Sequence, residues 1–235
     1  MITLLRILFV LCLCTPAYAQ DKILFEPKHP ADTLSGLHYT RLVQEALDRK
    51  PDTNFNYLRR LYPAMKFYQP ETDMALRELF NHAKQAVKTQ NTAEYLDFVM
   101  VHMAHPDVMW AAYILAEENK ILGDPQLYLS IYRGLKQSLM ISGDGKTPES
   151  AYESLTFGDE NIILNALELK SYKTQQVKDG VLTHNMHTAY NVKEDQFYTI
   201  FINITKPLSI RNENKRIELH GFDFTDMKQG YKRNR

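Results

Sequence analysis

Two imidazoles three residues apart, His184 and His187, are the side chains in this chain whose type and spacing most directly suggest chemistry. An H-x-x-H pair can bring two ring nitrogens to one divalent ion, with Asp179, Glu194 or Asp195 as carboxylate partners. The chemistry would be metal binding or metal-assisted hydrolysis. A polar loop that exposes two histidines accounts for the same letters. His102 and His105 form a second pair, with His82 on an earlier segment, and there a cation beside a helix end is the simpler role. Gly145-Lys146-Thr147 invites a phosphate loop, but Met140 stands where that motif needs its first Gly, so a turn is the better reading. Neither G-x-S-x-G nor H-E-x-x-H occurs. Tyr57, Tyr62, Phe67 and Tyr68 are dense enough to line an aromatic groove for a peptide or glycan.

Composition removes several classes. Arg6, the apolar run Ile7 to Leu13 and Ala17-Tyr18-Ala19 read as a signal peptide cut after Ala19, which predicts a periplasmic or secreted protein. Both cysteines, Cys12 and Cys14, fall inside that segment. The mature chain would therefore have no disulfide and no thiol nucleophile. With 28 basic and 28 acidic residues it lacks the clustered positive charge of a nucleic-acid binder. No later run is long enough to span a bilayer.

The elements that must position these groups divide at Ser142-Gly143-Asp144-Gly145-Lys146-Thr147-Pro148, where two glycines and a proline oppose any continuing helix. Residues 20–32 read as an extended lead-in and 33–142 as helices. Tyr39, Leu42, Val43, Ala46 and Leu47 mark the first helix, from Thr33 to about Arg49. Asn54 to Tyr62, a helix from Thr72 and one capped by Thr92 follow. Helices opened by Pro106 and Pro125 complete the set. The Pro106 helix has apolar residues on two faces, Val108 to Leu122 and Trp110, Ile114, Ile121, which predicts packing on both sides.

After a hinge at 143–150, residues 151–210 read as a small α/β unit and 211–235 as a polar tail with Ile217 to Leu219 as an edge strand. Tyr152 to Phe157, Tyr172 to Val177 and Thr188 to Val192 are strand candidates, and Asp159 to Leu169 a helix. Phe197 to Ile204 has large apolar residues in both alternating sets, which predicts a central strand covered on both faces. The predicted class is α+β: a stack of antiparallel helical hairpins, then a small domain with an antiparallel or mixed sheet.

The stretch His105-Pro106-Asp107, Trp110 to Tyr113 and Leu122-Gly123-Asp124 resembles one tetratricopeptide unit. Asn56 to Tyr62 with Tyr68-Gln69-Pro70, Tyr132 to Leu135, the 142–152 run and Tyr198 to Ile204 are together similar to a bacterial domain-of-unknown-function family, number 4919. That resemblance spans about His38 to Pro207 and implies an exported protein with tetratricopeptide-like helices and an α/β end. It implies no activity and no cofactor. The His- and Asn-rich Thr183 to Asn191 departs from the more acidic pattern of the family there. These readings lead to a non-enzymatic module that binds a protein or peptide partner in the cell envelope, with metal binding at His184 and His187 as the alternative.

Overall fold

Apolar residues recurring every three or four positions, punctuated by prolines, build six α-helices among the described residues of the first half. A computed structural model describes residues 25–29 and 32–221. The expected signal peptide with its expected cut after Ala19, part of the lead-in, and residues 222–235 lie outside the described residues. The helices are α1 (Thr33–Leu47), α2 (Phe55–Leu61), α3 (Thr72–Thr89), α4 (Ala93–Val101), α5 (Pro106–Glu118) and α6 (Pro125–Met140). Each start has a local cause. Asn54 accepts the Tyr57 N–H at 2.9 Å, and Asp124 accepts the N–H groups of Gln126 and Leu127. Pro106 and Pro125 occupy first turns, where a missing donor costs nothing. Thr92 precedes α4 but makes no cap bond; Asn91 takes the Ala93 N–H at 3.1 Å instead.

Tyr39, Leu42, Val43 and Ala46 are buried as the periodicity requires, and one apolar core runs through all six helices. The expectation for α5 fails on one side. Trp110, Ile114 and Ile121 stay exposed, with the Trp110 ring tilted against Tyr113 and Tyr132 at 5.3 and 5.0 Å. Gly134 sets the approach of α2 to α6, since a Cβ there would lie 2.2 Å from the Phe55 ring. Gly134→Ala gains about 1 kcal/mol of helix propensity but overpacks the contact by about 1–3 kcal/mol. A net loss of up to about 2 kcal/mol is expected in urea titration, and a raised midpoint would show that Phe55 swings away freely.

Past Met140 the chain turns at Asp144, which accepts the Lys146 N–H at 3.0 Å and the Ser150 hydroxyl at 2.6 Å. Gly145 has φ +68°, and its carbonyl takes the Phe201 N–H. This is the turn expected there, and it also ties the hinge to the sheet.

The second half comprises β1 (Tyr152–Glu153), α7 (Asp159–Ala166), β2 (Leu169–Asp179), β3 (Leu182–Asn191), β4 (Gln196–Asn203) and α8 (Thr205–Gly221). The sheet order is β1-β4-β3-β2, with β1 parallel to β4 and the other pairs antiparallel, hence mixed. A second core joins α7 and the sheet through Ile162, Ile163, Ala189, Ile200 and Ile202, and Leu139 reaches it from α6.

Four expectations change here. The first strand shrinks to two residues, while β2 and β3 are far longer than their apolar content suggested, because they form one hairpin. β4 is interior but covered chiefly on one face: Ile200 and Ile202 are buried, whereas Phe197 is 56% exposed. Residues 205–221 are helix, not strand and tail. Pro207 lies in the first turn of α8, where its fixed φ suits a helix, so it begins an element as well as following one.

Candidate functional site

Consecutive residues on a helix point about 100° apart, so Asp159 and Glu160 at the start of α7 serve different neighbours. Asp159 faces the helices. Its carboxylate accepts the Leu155 and Thr156 N–H groups at 2.8 and 3.1 Å and the Thr156 hydroxyl at 2.9 Å. Arg59 of α2 approaches it to 3.6 Å, both side chains being 1% exposed. The same guanidinium donates to the Glu153 carbonyl at 2.8 Å and to Ser138 Oγ at 3.3 Å. Burial pulls Arg59 below its ordinary range, and the carboxylates of Asp159 and Glu153 oppose that. The 154–158 segment is held further by the Tyr68 hydroxyl on the Leu155 carbonyl and the Phe157 N–H on the Pro70 carbonyl. This cluster joins the two halves.

Glu160 faces the sheet. Asn185 donates to both of its oxygens, at 3.0 and 2.9 Å, and His187 Nε2 lies 2.7 Å from Oε2. A carboxylate only accepts, so Nε2 carries the proton, and in the neutral ring Nδ1 then presents a lone pair. Two hydroxyls converge on it, Ser171 Oγ and Thr174 Oγ1, each at 3.1 Å. Ordinary alternation would put residues three apart on opposite faces of a strand. A bulge at Tyr172 between Ser171 and Lys173 restores them to one face. The His187 and Glu160 side chains are 6% and 11% exposed, while Ser171 and Thr174 are open to solvent on the outermost strand.

Alternation separates the two histidines chosen from the sequence. His187 pairs across to Thr174 and Ile200 on the α7 side; His184, opposite Val177 and Asn203, points to the other face. His184 is fully buried, and neither ring nitrogen has a hydrogen-bond partner among the described residues. No group of three or more His, Cys, Asp or Glu side chains that could hold a metal occurs among the described residues.

The aromatic four do not line an open groove. Tyr62 and Tyr68 are buried, packed edge to face at 5.1 Å, and Phe67 joins them; Tyr57 alone is at the surface, bonded to His38. Lys146 pairs with Asp144 at 3.6 Å, so a carboxylate sits beside the cation a phosphate loop would need.

Glu160, Asn185, Ser171 and Thr174 went unread in the sequence. The one available signal was the acidic pair opening the α7 period. The hydroxyls have none, because their convergence depends on a bulge. Among family models, curated proteins and solved structures, nothing matches the chain. No described helix is long and apolar enough to cross a membrane.

Proposed function

We propose that the protein is an interaction module in which an extended, acidic segment of a partner adds to the outer edge of β2, which no other described strand pairs. The exposure of that edge carries the reading. β2 has eleven residues, lies outermost in the sheet, and is exposed from Lys170 through Gln176. Such an edge offers a row of backbone donors and acceptors to an incoming strand.

Charge chooses the occupant. Lys170, Lys173 and Lys178 lie along β2, so a second copy pairing there would set like charges together, whereas Asp and Glu on a partner would be matched. Each exposed pair adds at most about 1 kcal/mol. The ladder therefore supplies affinity and the lysines supply selectivity. Tyr172, 79% exposed, meets Phe197 at 5.9 Å and offers a seat for one apolar side chain.

In this reading the helices act as a tetratricopeptide-like stack that holds the sheet, in keeping with the family resemblance. The setting is the periplasm or cell exterior reached through the signal peptide.

Fluorescence anisotropy with a labelled alternating Glu-Val peptide tests the idea, against a Lys-Val peptide of equal length. The acidic peptide should bind more tightly, with affinity falling as salt rises. Reversing the charges (K170E, K173E and K178E together) should weaken binding about tenfold or more, which is about 1.4 kcal/mol. Equal affinity for both peptides, or an unaltered affinity after reversal, sinks the reading.

A further inference from the structure

We propose that the Glu160–His187–Ser171 arrangement is a nucleophilic site that takes the acyl group of a carboxylic ester, with Ser171 forming the acyl-enzyme. It stands on its own geometry and does not require the docking reading. A hydroxyl becomes a nucleophile when a neighbouring base accepts its proton and a third group holds that base in the right tautomer. All three parts are present. Glu160 fixes the proton on Nε2 across 2.7 Å, Asn185 fixes Glu160, and the bare Nδ1 meets Ser171 Oγ at 3.1 Å.

Burial is graded in the direction chemistry needs. The carboxylate and imidazole are shielded, so their bond is not competed away by water, while the hydroxyl at the end is accessible. Thr174 Oγ1 lies 3.3 Å from Ser171 Oγ and shares the same lone pair. Ser171 is assigned the attack because its primary hydroxyl is the less hindered of the two. Thr174 is a positioning residue that restrains the Ser171 rotamer. β2, as the outermost strand, also carries outward N–H groups, the donor type that stabilises an oxyanion.

The step balances without a further reagent. Ser171 Oγ bonds to the ester carbonyl carbon as its proton passes to His187 Nδ1. The carbonyl–alkoxy bond then breaks, and the alcohol leaves with that proton. Water, deprotonated at Nδ1 in turn, attacks the acyl-enzyme and releases the acid, returning the proton to Ser171. His187 and Ser171 are the catalytic residues; Glu160 and Asn185 act through them.

The test uses the full mature chain with a fluorophosphonate probe and 4-nitrophenyl acetate, read by intact mass and peptide mapping. One phosphonyl adduct per chain is expected, at Ser171, and none in S171A, whose melting should match the parent because Ser171 is exposed. H187Q should slow labelling about a hundredfold or more. Because H187Q replaces a buried ring with a side chain of another shape, the isosteric E160Q serves as the second variant; it should slow labelling while T174V leaves the adduct at Ser171. The K170E/K173E/K178E chain should still label, since the small probe needs no docked strand. Absence of any adduct on the folded parent, or an adduct that persists in S171A, overturns the proposal.

Discussion

Arg59→Ala is expected to lower stability by about 3–5 kcal/mol, the scale for removing one partner of a buried ion pair. The argument rests on what stays behind. Asp159, 1% exposed, would be left with only the two backbone N–H groups and the Thr156 hydroxyl as partners among the described residues. Ser138 Oγ and the Glu153 carbonyl would lose their donor as well. At a slope of about 2 kcal/mol per molar urea, the unfolding midpoint should fall by about 2 M.

The pair also joins α2 to the α7 end of the sheet, across two apolar cores. Its loss should therefore separate one cooperative transition into two, visible as near-UV and far-UV signals that no longer coincide. R59M/D159N, which buries no charge, should lose less than the two single changes combined. A cost below about 1 kcal/mol for Arg59→Ala would mean that the halves are held by apolar packing alone.

The helical half was legible because local rules and tertiary packing agree there. The α1 stripe, the caps at Asn54 and Asp124 and the prolines of α5 and α6 each act within a few residues. The hinge was legible for the same reason, since Asp144 and Gly145 satisfy a turn locally. The sheet was less so. β2 is polar along most of its length and is a strand only because β3 pairs with it, a cause no window of β2 contains. Residues 205–221 show the reverse failure. Their weak apolar pattern hid a helix that Ile210 and Arg211 secure by long-range contacts, Ile210 on the helical core and Arg211 bidentate to Glu71 at 2.7 and 2.9 Å.

The candidate site combined both difficulties. His187 stood out by type, but its neighbour in sequence, His184, lies on the opposite face. Its actual partners come from α7, sixteen or more residues upstream of β3's start, and from across a bulge. An H-x-x-H spacing carries one meaning on a helix and the opposite one on a strand. Only strand register decides which applies.

Acidification from pH 7 to 5 should destabilise the protein by roughly 3 kcal/mol, although one group opposes the loss. His102 Nδ1 lies 2.6 Å from the Tyr62 hydroxyl; His105, fully buried, has no hydrogen-bond partner for either nitrogen among the described residues, and Asp107 Oδ2 is 3.9 Å from its Nδ1. Burial pulls both imidazoles from 6.5 to about 3. The folded chain therefore keeps both rings neutral while the unfolded chain takes up protons below about pH 6.5, and stability falls as pH falls. At pH 5 that difference is about 2 kcal/mol for each ring. Asp107 acts in the other sense. Burial first, and then the Asp159 carboxylate, pushes it up to about 6, so the folded chain binds its proton before the unfolded one does. That returns about 1 kcal/mol over the same interval, and the histidines win. For a domain of this size the melting temperature should drop by roughly 6–12 °C. His105→Leu should remove about half of the histidine contribution. It should also hold or raise stability at pH 7, because it deletes a buried polar group that has no hydrogen-bond partner. Asp107→Asn should steepen the acid loss. A melting temperature that is flat or rises between pH 7 and 5 would mean that these rings take up protons inside the fold.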